Sequence, residues 1–193
     1  MKTIAISGSP RENVGKRDAK ELRYEGKVPV VLYGGKEQQH LAVVATEFKN
    51  AIYSSEVSFI ELNVNGTKSK AIIKDLQFHP LTEKLMHVDL LQLFDDKEIT
   101  MEIPVRLVGV SPGVKMGGKL IQKLRKLRVK AMPKAMPQTI DVSIENLQVG
   151  NLSRVRDVKV ENYIITNIPE DTIVSVGMSR ALKQAEQEAS KGK

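Results

Sequence analysis

The feature that most constrains this chain is the dipeptide Asn65-Gly66. It joins two β-prone runs, Val57 to Val64 and Lys68 to Leu76, and Asn-Gly between such runs is the strongest short-range signal for a type I′ hairpin. A second hairpin is expected where Val28 to Tyr33 turns back through Gly34-Gly35 into His40 to Ala45. Lys2 to Ser7 and Leu85 to Phe94 read as further strands, with a loop at Gly8 to Val14. The helices are short. One starts after Asn13 or Gly15 and is closed by Gly26, with Pro29 three residues beyond. The other runs from Thr46 to about Ser54 or Ser55, with Phe48, Ala51 and Ile52 on one face.

Asp95-Asp96-Lys97 is a polar break, so the expected organisation is a first domain of residues 1–94, a second of 95–180 and a tail of 181–193. In the second domain Glu98 to Val110 alternates, with Pro104 marking an edge or a bulge. Pro112-Gly113 and Gly117-Gly118 make a turn-rich loop. Lys119 to Met132 mixes helical and strand periods and is expected to be one strand entered through an irregular segment. Thr139 to Ile144, Ile164 to Ile168 and Thr172 to Met178 are strands, and Gly150 to Val158 is turns. The tail is helix-prone but nearly lacks an apolar face.

Without Cys, thiolate chemistry is excluded, and a zinc site would have to be built from three His and carboxylates. Aromatic residues are 4% with no Trp, which argues against the stacking platforms of sequence-tolerant single-strand binders. The apolar run at the start is too short for a signal peptide and no stretch could span a bilayer, so a cytoplasmic protein is expected. The formal net charge is +7, and the excess is concentrated. No acid occurs from Ile103 to Ile140, against Arg106, Lys115, Lys119, Lys123, Arg125, Lys126, Arg128, Lys130 and Lys134. A one-signed segment of that length favours a polyanionic partner, because each phosphate neutralised releases counterions.

In the first domain Lys16, Lys20, Arg23 and Lys27 fall at i, i+4, i+7 and i+11, a cationic stripe at helical spacing. Glu12, Asp18, Glu21 and Glu25 are interleaved, and on these residues alone a solvated face explains the stripe better than a phosphate-binding edge. On the Leu85 to Phe94 strand, His87 and Asp89 share one face while Met86, Val88 and Leu90 share the other. As catalysis the pair lacks a nucleophile, and as a metal site it lacks further ligands, which leaves a structural or a recognition pair. Ile6-Ser7-Gly8-Ser9-Pro10-Arg11 looks like the flavin-phosphate loop of flavodoxin-like reductases. The hairpin signals and short helices speak against the doubly wound sheet that such an enzyme needs. Gly8 to Lys16 also fails as a P-loop, because Arg17 stands where Ser or Thr should bind magnesium.

A wider set of residues then becomes informative: Arg11, Gly15-Lys16, Leu22-Arg23, Gly26-Lys27-Val28-Pro29, Leu32-Tyr33-Gly34-Gly35, Lys74-Asp75-Leu76-Gln77, His79-Pro80 and His87-Val88-Asp89. The second half adds Ile103-Pro104-Val105, Pro112-Gly113-Val114-Lys115, Gly117-Gly118 and Val149-Gly150. With these, the chain resembles, over nearly its whole length, bacterial large-subunit ribosomal protein number twenty-five in its long two-domain form, the general stress protein CTC family. That resemblance implies a mainly β (α+β) protein: an N-terminal β-barrel with short helices, then a second, mainly β domain. It implies no catalysis, no cofactor, no metal, no membrane and no small-molecule substrate.

The implied partners are 5S rRNA, at an internal loop whose distorted groove exposes base edges, and the surrounding large subunit with its rRNA and neighbouring proteins. Carried over residue by residue, Arg11, Lys16, Lys20, Arg23, Tyr33, Gln77, His87 and Asp89 should face RNA. The cations would hold phosphates, Tyr33 would supply a hydroxyl and a flat ring, and Gln77, His87 and Asp89 would meet base edges or sugars. Many members are acidic where this chain reads LIQKLRKLRVKAMPK, so Lys115, Lys119, Lys123, Arg125, Lys126 and Arg128 are candidate RNA contacts of the second domain. The alternative of another class is a free, stress-linked RNA-binding translation factor of the same fold, distinguished by whether it cosediments with large subunits in high salt.

Overall fold

In the computed structural model, residues 1–35, 37–54, 56–160 and 162–179 are described, so the expected tail at 181–193 lies outside the described residues. The chain divides into two compact units, one of Met1–Ile99 with Met132–Lys134, the other of Thr100–Ala131 with the residues from Ala135 onward.

The first unit runs β1 (Lys2–Pro10), α1 (Lys16–Tyr24), β2 (Lys27–Tyr33), β3 (Gln39–Val44), a 3-10 turn (Ala45–Phe48) leading into α2 (Lys49–Ile52), β4 (Ser58–Val64), β5 (Thr67–Phe78) and β6 (Leu85–Gln92). The six strands form a closed barrel in the order β1-β3-β2-β6-β5-β4, sealed by parallel pairing of β1 with β4 from Lys2↔Ser58 to Gly8↔Val64. Alternation decides what fills it. Ile6, Val28, Val30, Leu32, Leu41, Val43, Ile60, Leu62, Ala71, Val88 and Leu90 are buried inside, and Phe48 joins them from the 3-10 turn.

The Asn65-Gly66 hairpin is present as expected. Asn65 and Gly66 have φ of 49° and 85°, and the Asn63 side chain accepts a hydrogen bond from the Gly66 N–H at 3.1 Å. Three expectations need correction. β1 continues through Gly8, Ser9 and Pro10, which pair with Val43, Ala42 and Leu41 of β3, so the flavin-like Ser-Gly-Ser-Pro is ladder rather than phosphate loop. A closed barrel with mostly antiparallel neighbours also rules out the doubly wound sheet of that alternative. Finally, α1 ends at Tyr24 because Gly26 takes φ of 77°, so Lys27 opens β2 instead of extending the cationic stripe, and it pairs with Glu25 at 2.9 Å.

β5 carries the irregularity that matters most for the surface. Ile73 pairs with Leu90 and Asp75 with Asp89, which leaves Lys74 as a β-bulge between them. Counting by twos from Ala71 and Ile73, Asp75 and Gln77 would point into the barrel. The extra residue reverses the parity, so Leu76 packs against the core and Asp75 and Gln77 face outward.

The second unit contains β7 (Ile99–Val108), α3 (Pro112–Lys115), β8 (Lys119–Gln122), β9 (Lys126–Ala131), a 3-10 turn (Pro133–Ala135), β10 (Ile140–Ser143), β11 (Leu152–Arg154), a 3-10 turn (Val155–Asp157), β12 (Ile164–Ile165) and β13 (Thr172–Gly177). Two sheets result, β10-β7-β9-β12 and β11-β13-β8. Ile103, Leu127, Val129, Ile140 and Ile173 are at most 1% exposed. Ser111, buried, caps α3 by accepting from the Val114 N–H and donates to the Leu147 carbonyl at 2.5 Å. Lys119 to Met132, expected as one strand, is two strands belonging to different sheets. Gly150 to Val158 contains the short β11 as well as turns. Pro104 lies in an inner strand rather than at an edge, and the β10 ladder starts at Val105, one residue beyond it.

Candidate nucleic-acid interface

The outer face of the barrel around β6 collects side chains from three strands and one helix. β2 runs parallel to β6, with Val31 beside Asp89 and Tyr33 beside Leu91. β5 runs antiparallel, with Asp75 opposite Asp89 and Gln77 opposite His87. Directly opposite residues share a face, so Tyr33, Asp75, Gln77, His87 and Asp89 lie on one surface. The Gly34-Gly35 turn lets β2 end tight against β6: Gly34 has φ of 94°, and a Cβ on it would come within 2.6 Å of Leu91 Cδ1.

His87 Nδ1 stands 2.7 Å from Asp89 Oδ1, both side chains about a quarter to a third exposed. The carboxylate lies off the line along which the ring nitrogen would donate, so Nδ1 has no aligned hydrogen-bond partner. Asp75 Oδ1 accepts from the Leu76 N–H at 2.9 Å. The Tyr33 phenol is held above its ordinary value, first by burial and then by the negative charges of Asp89 and Asp75. This surface is therefore acceptor-rich. It suits base amino groups and ribose hydroxyls, and it repels phosphate.

Cations stand beside it on α1, which packs on β2. Arg23 Nε donates to the Met86 carbonyl of β6 at 3.1 Å, fastening the helix to the strand that carries His87 and Asp89. Lys16 and Lys20 are exposed, Lys20 Nζ lying 5.8 Å from the Tyr24 ring centre. Arg11 is placed differently. Its side chain is 9% exposed, bonds the Asp18 carboxylate and the Asn13 carbonyl, and so braces the start of α1. Its charge is already paired in the free protein.

Two residues on or near this surface were missed by sequence reasoning as contributors. Asp75 was hidden by the bulge, which carries no residue-type signature. His79 organises the β5–β6 connection: its Nδ1 accepts from the Leu81 and Thr82 N–H groups at 3.3 and 3.2 Å. The six second-unit cations are spread over several elements. Lys115 is on α3, Lys119 on β8, Lys123 and Arg125 between β8 and β9, and Lys126 and Arg128 on β9. No grouping of three or more His, Asp or Glu suited to a metal ion occurs among the described residues, and none of their helices is long and apolar enough to cross a membrane.

Residues 6–90 match the model of the Ribosomal L25p family, and residues 98–180 match that of the ribosomal protein TL5 C-terminal domain. The chain is 47% identical to the large ribosomal subunit protein bL25 of Amoebophilus asiaticus, over 100% of this chain and 99% of that one. The chain belongs to the ribosomal L25p family. Other L25p relatives of like extent are the large ribosomal subunit protein bL25 of Cytophaga hutchinsonii, 42% identical over 99% of this chain and 100% of that one, and that of Porphyromonas gingivalis, 41% identical over 96% and 97%. The L25p family is one of ribosomal structural proteins and not of enzymes.

Proposed function

We propose that this chain is a structural constituent of the large ribosomal subunit, bound to cytoplasmic ribosomes, and that it grips 5S rRNA with the outer face of its barrel. The observation that carries the reading is the gathering of Tyr33, Gln77, His87 and Asp89 on one surface beside the cations of α1, in a chain whose relatives are named as large-subunit proteins.

The arrangement divides the work. Lys16 and Lys20, with Arg23 behind them, hold the sugar–phosphate backbone, and the acceptor-rich strand surface meets base edges and 2′-hydroxyls. A regular RNA duplex hides its base edges in a deep, narrow groove, so the partner is a distorted duplex, for which an internal loop of 5S rRNA qualifies. Arg11 joins if a phosphate displaces Asp18 from its guanidinium.

Gel-shift titration against 5S rRNA tests this with Tyr33→Ala, His87→Ala and Asp89→Ala. Each is expected to weaken binding by about 1 to 3 kcal/mol, by analogy with direct base contacts in DNA. Unchanged affinity in all three would sink the proposal.

A further inference from the structure

The two ends of the barrel differ. At one, Phe48 enters the core fully buried from the turn after β3, with Ala45 and Ile52 packed beside it as a stopper. At the other, where β1 finishes and β3 begins, the inward row turns polar. Gln39, Thr67 and Ser69 lie opposite Leu32, Val64 and Leu62, so they share the inner face. They leave a cavity of about 480 Å³, within the roughly 300–1,000 Å³ of small-molecule sites. Leu41 and Val64 give it apolar walls, and the Gln39, Asn65 and Ser69 side chains give it groups that both donate and accept. Arg11 lines it too, its side chain 9% exposed. Part of that guanidinium holds Asp18, yet the buried Nε has no hydrogen-bond partner, an unmet donor in the wall of a cavity.

We infer that this mouth receives one unstacked base of ribosomal RNA, with adenine the best fit. A base has flat apolar faces and an edge that donates as well as accepts, which the walls match, and Asn and Gln amides make two-point contacts to adenine. A phosphate fits worse, because the described lining holds no Lys and its one guanidinium is already paired with Asp18. The position also suits RNA. His40 on the rim lies opposite Val31, which stands beside Asp89, so the mouth opens two strands, about 10 Å, from the surface proposed above. The inference rests on that RNA-binding reading and extends it to the end of the barrel.

The test is binding of the full chain to 5S rRNA across a range of salt. Ser69→Leu fills the mouth and should weaken binding about tenfold, with the slope of log affinity against log salt unchanged because no phosphate contact is lost. Gln39→Ala removes one amide from an exposed position. It should weaken binding in the same direction and leave the melting temperature unchanged, which keeps the inference testable if the leucine disturbs the fold. A photoreactive side chain at position 38 should crosslink to an unpaired adenosine. Unchanged affinity in either variant, a slope lowered by about one, or a crosslink to protein or to paired RNA overturns the inference. The same titrations separate the two readings. A response to Ser69→Leu with none to Tyr33→Ala, His87→Ala or Asp89→Ala defeats the strand surface alone, and the reverse defeats the mouth alone. If the unaltered chain does not bind isolated 5S rRNA, the 5S assignment fails, and the same variants on large subunits lacking this protein decide the mouth.

Discussion

Tyr33 reports on the strand surface through its own proton. Burial and the charges of Asp89 and Asp75 raise its phenol above the ordinary value of 10.0. Between that value and the raised one, the folded protein keeps a proton that the unfolded chain has lost. The contribution to stability is therefore complete below pH 10 and is lost as pH rises through the folded-state value. Phenolate absorbance should show a late-titrating tyrosine that disappears in Tyr33→Phe and moves to lower pH in Asp89→Asn; an Asp89→Asn titration identical to that of the unaltered chain would contradict the assignment. At this scale the sequence was informative where parity is simple. His87 and Asp89 on one face of a single strand could be read from alternation. Arg11 could not, since a guanidinium folded onto Asp18 and one extended toward a phosphate have the same sequence.

Among the elements, β5 shows why strand patterns mislead locally. Ala71 and Ile73 predict that Gln77 is inside and Leu76 outside, and the bulge at Lys74 inverts both. Leu76→Ala should thus destabilise the protein by about 2 kcal/mol, as removal of a packed aliphatic side chain does. Gln77→Ala should change stability by no more than about 0.5 kcal/mol while weakening RNA binding. Chemical denaturation of the two variants checks the order, and a reversed order would mean the bulge is misplaced. The Asn65-Gly66 turn was legible because its residues demand positive φ. The Gly8-Ser9-Pro10 end of β1 was not, because pairing with β3 overrides the turn preference of those residues. The break between β8 and β9 was masked by a run whose leucines fit helical and strand periods alike.

The whole molecule is two units with separate cores. All six barrel strands come from Lys2 to Gln92, and Ile144, Leu147, Val174 and Val176 form a distinct buried cluster in the second unit. A fragment of residues 1–97 should therefore fold cooperatively on its own and keep the sensitivity of 5S rRNA binding to His87→Ala. Circular dichroism with thermal melting, followed by the gel shift, checks both, and a fragment without a melting transition would show that the barrel depends on the rest of the chain. The basic bias of the second half was visible in the sequence. Its division between two sheets needed the pairing of strands distant along the chain.

The sealing of β1 against β4 matters for the protein before it joins the ribosome. A ring of strands offers no unpaired backbone edge, so the barrel gives another copy nothing to add to, even at high concentration. In the second unit the outermost strands β8, β10, β11 and β12 are only two to four residues long, too short to template a growing cross-chain sheet. A highly charged chain made ahead of its assembly into the ribosome is in this way guarded against self-association by its strand layout.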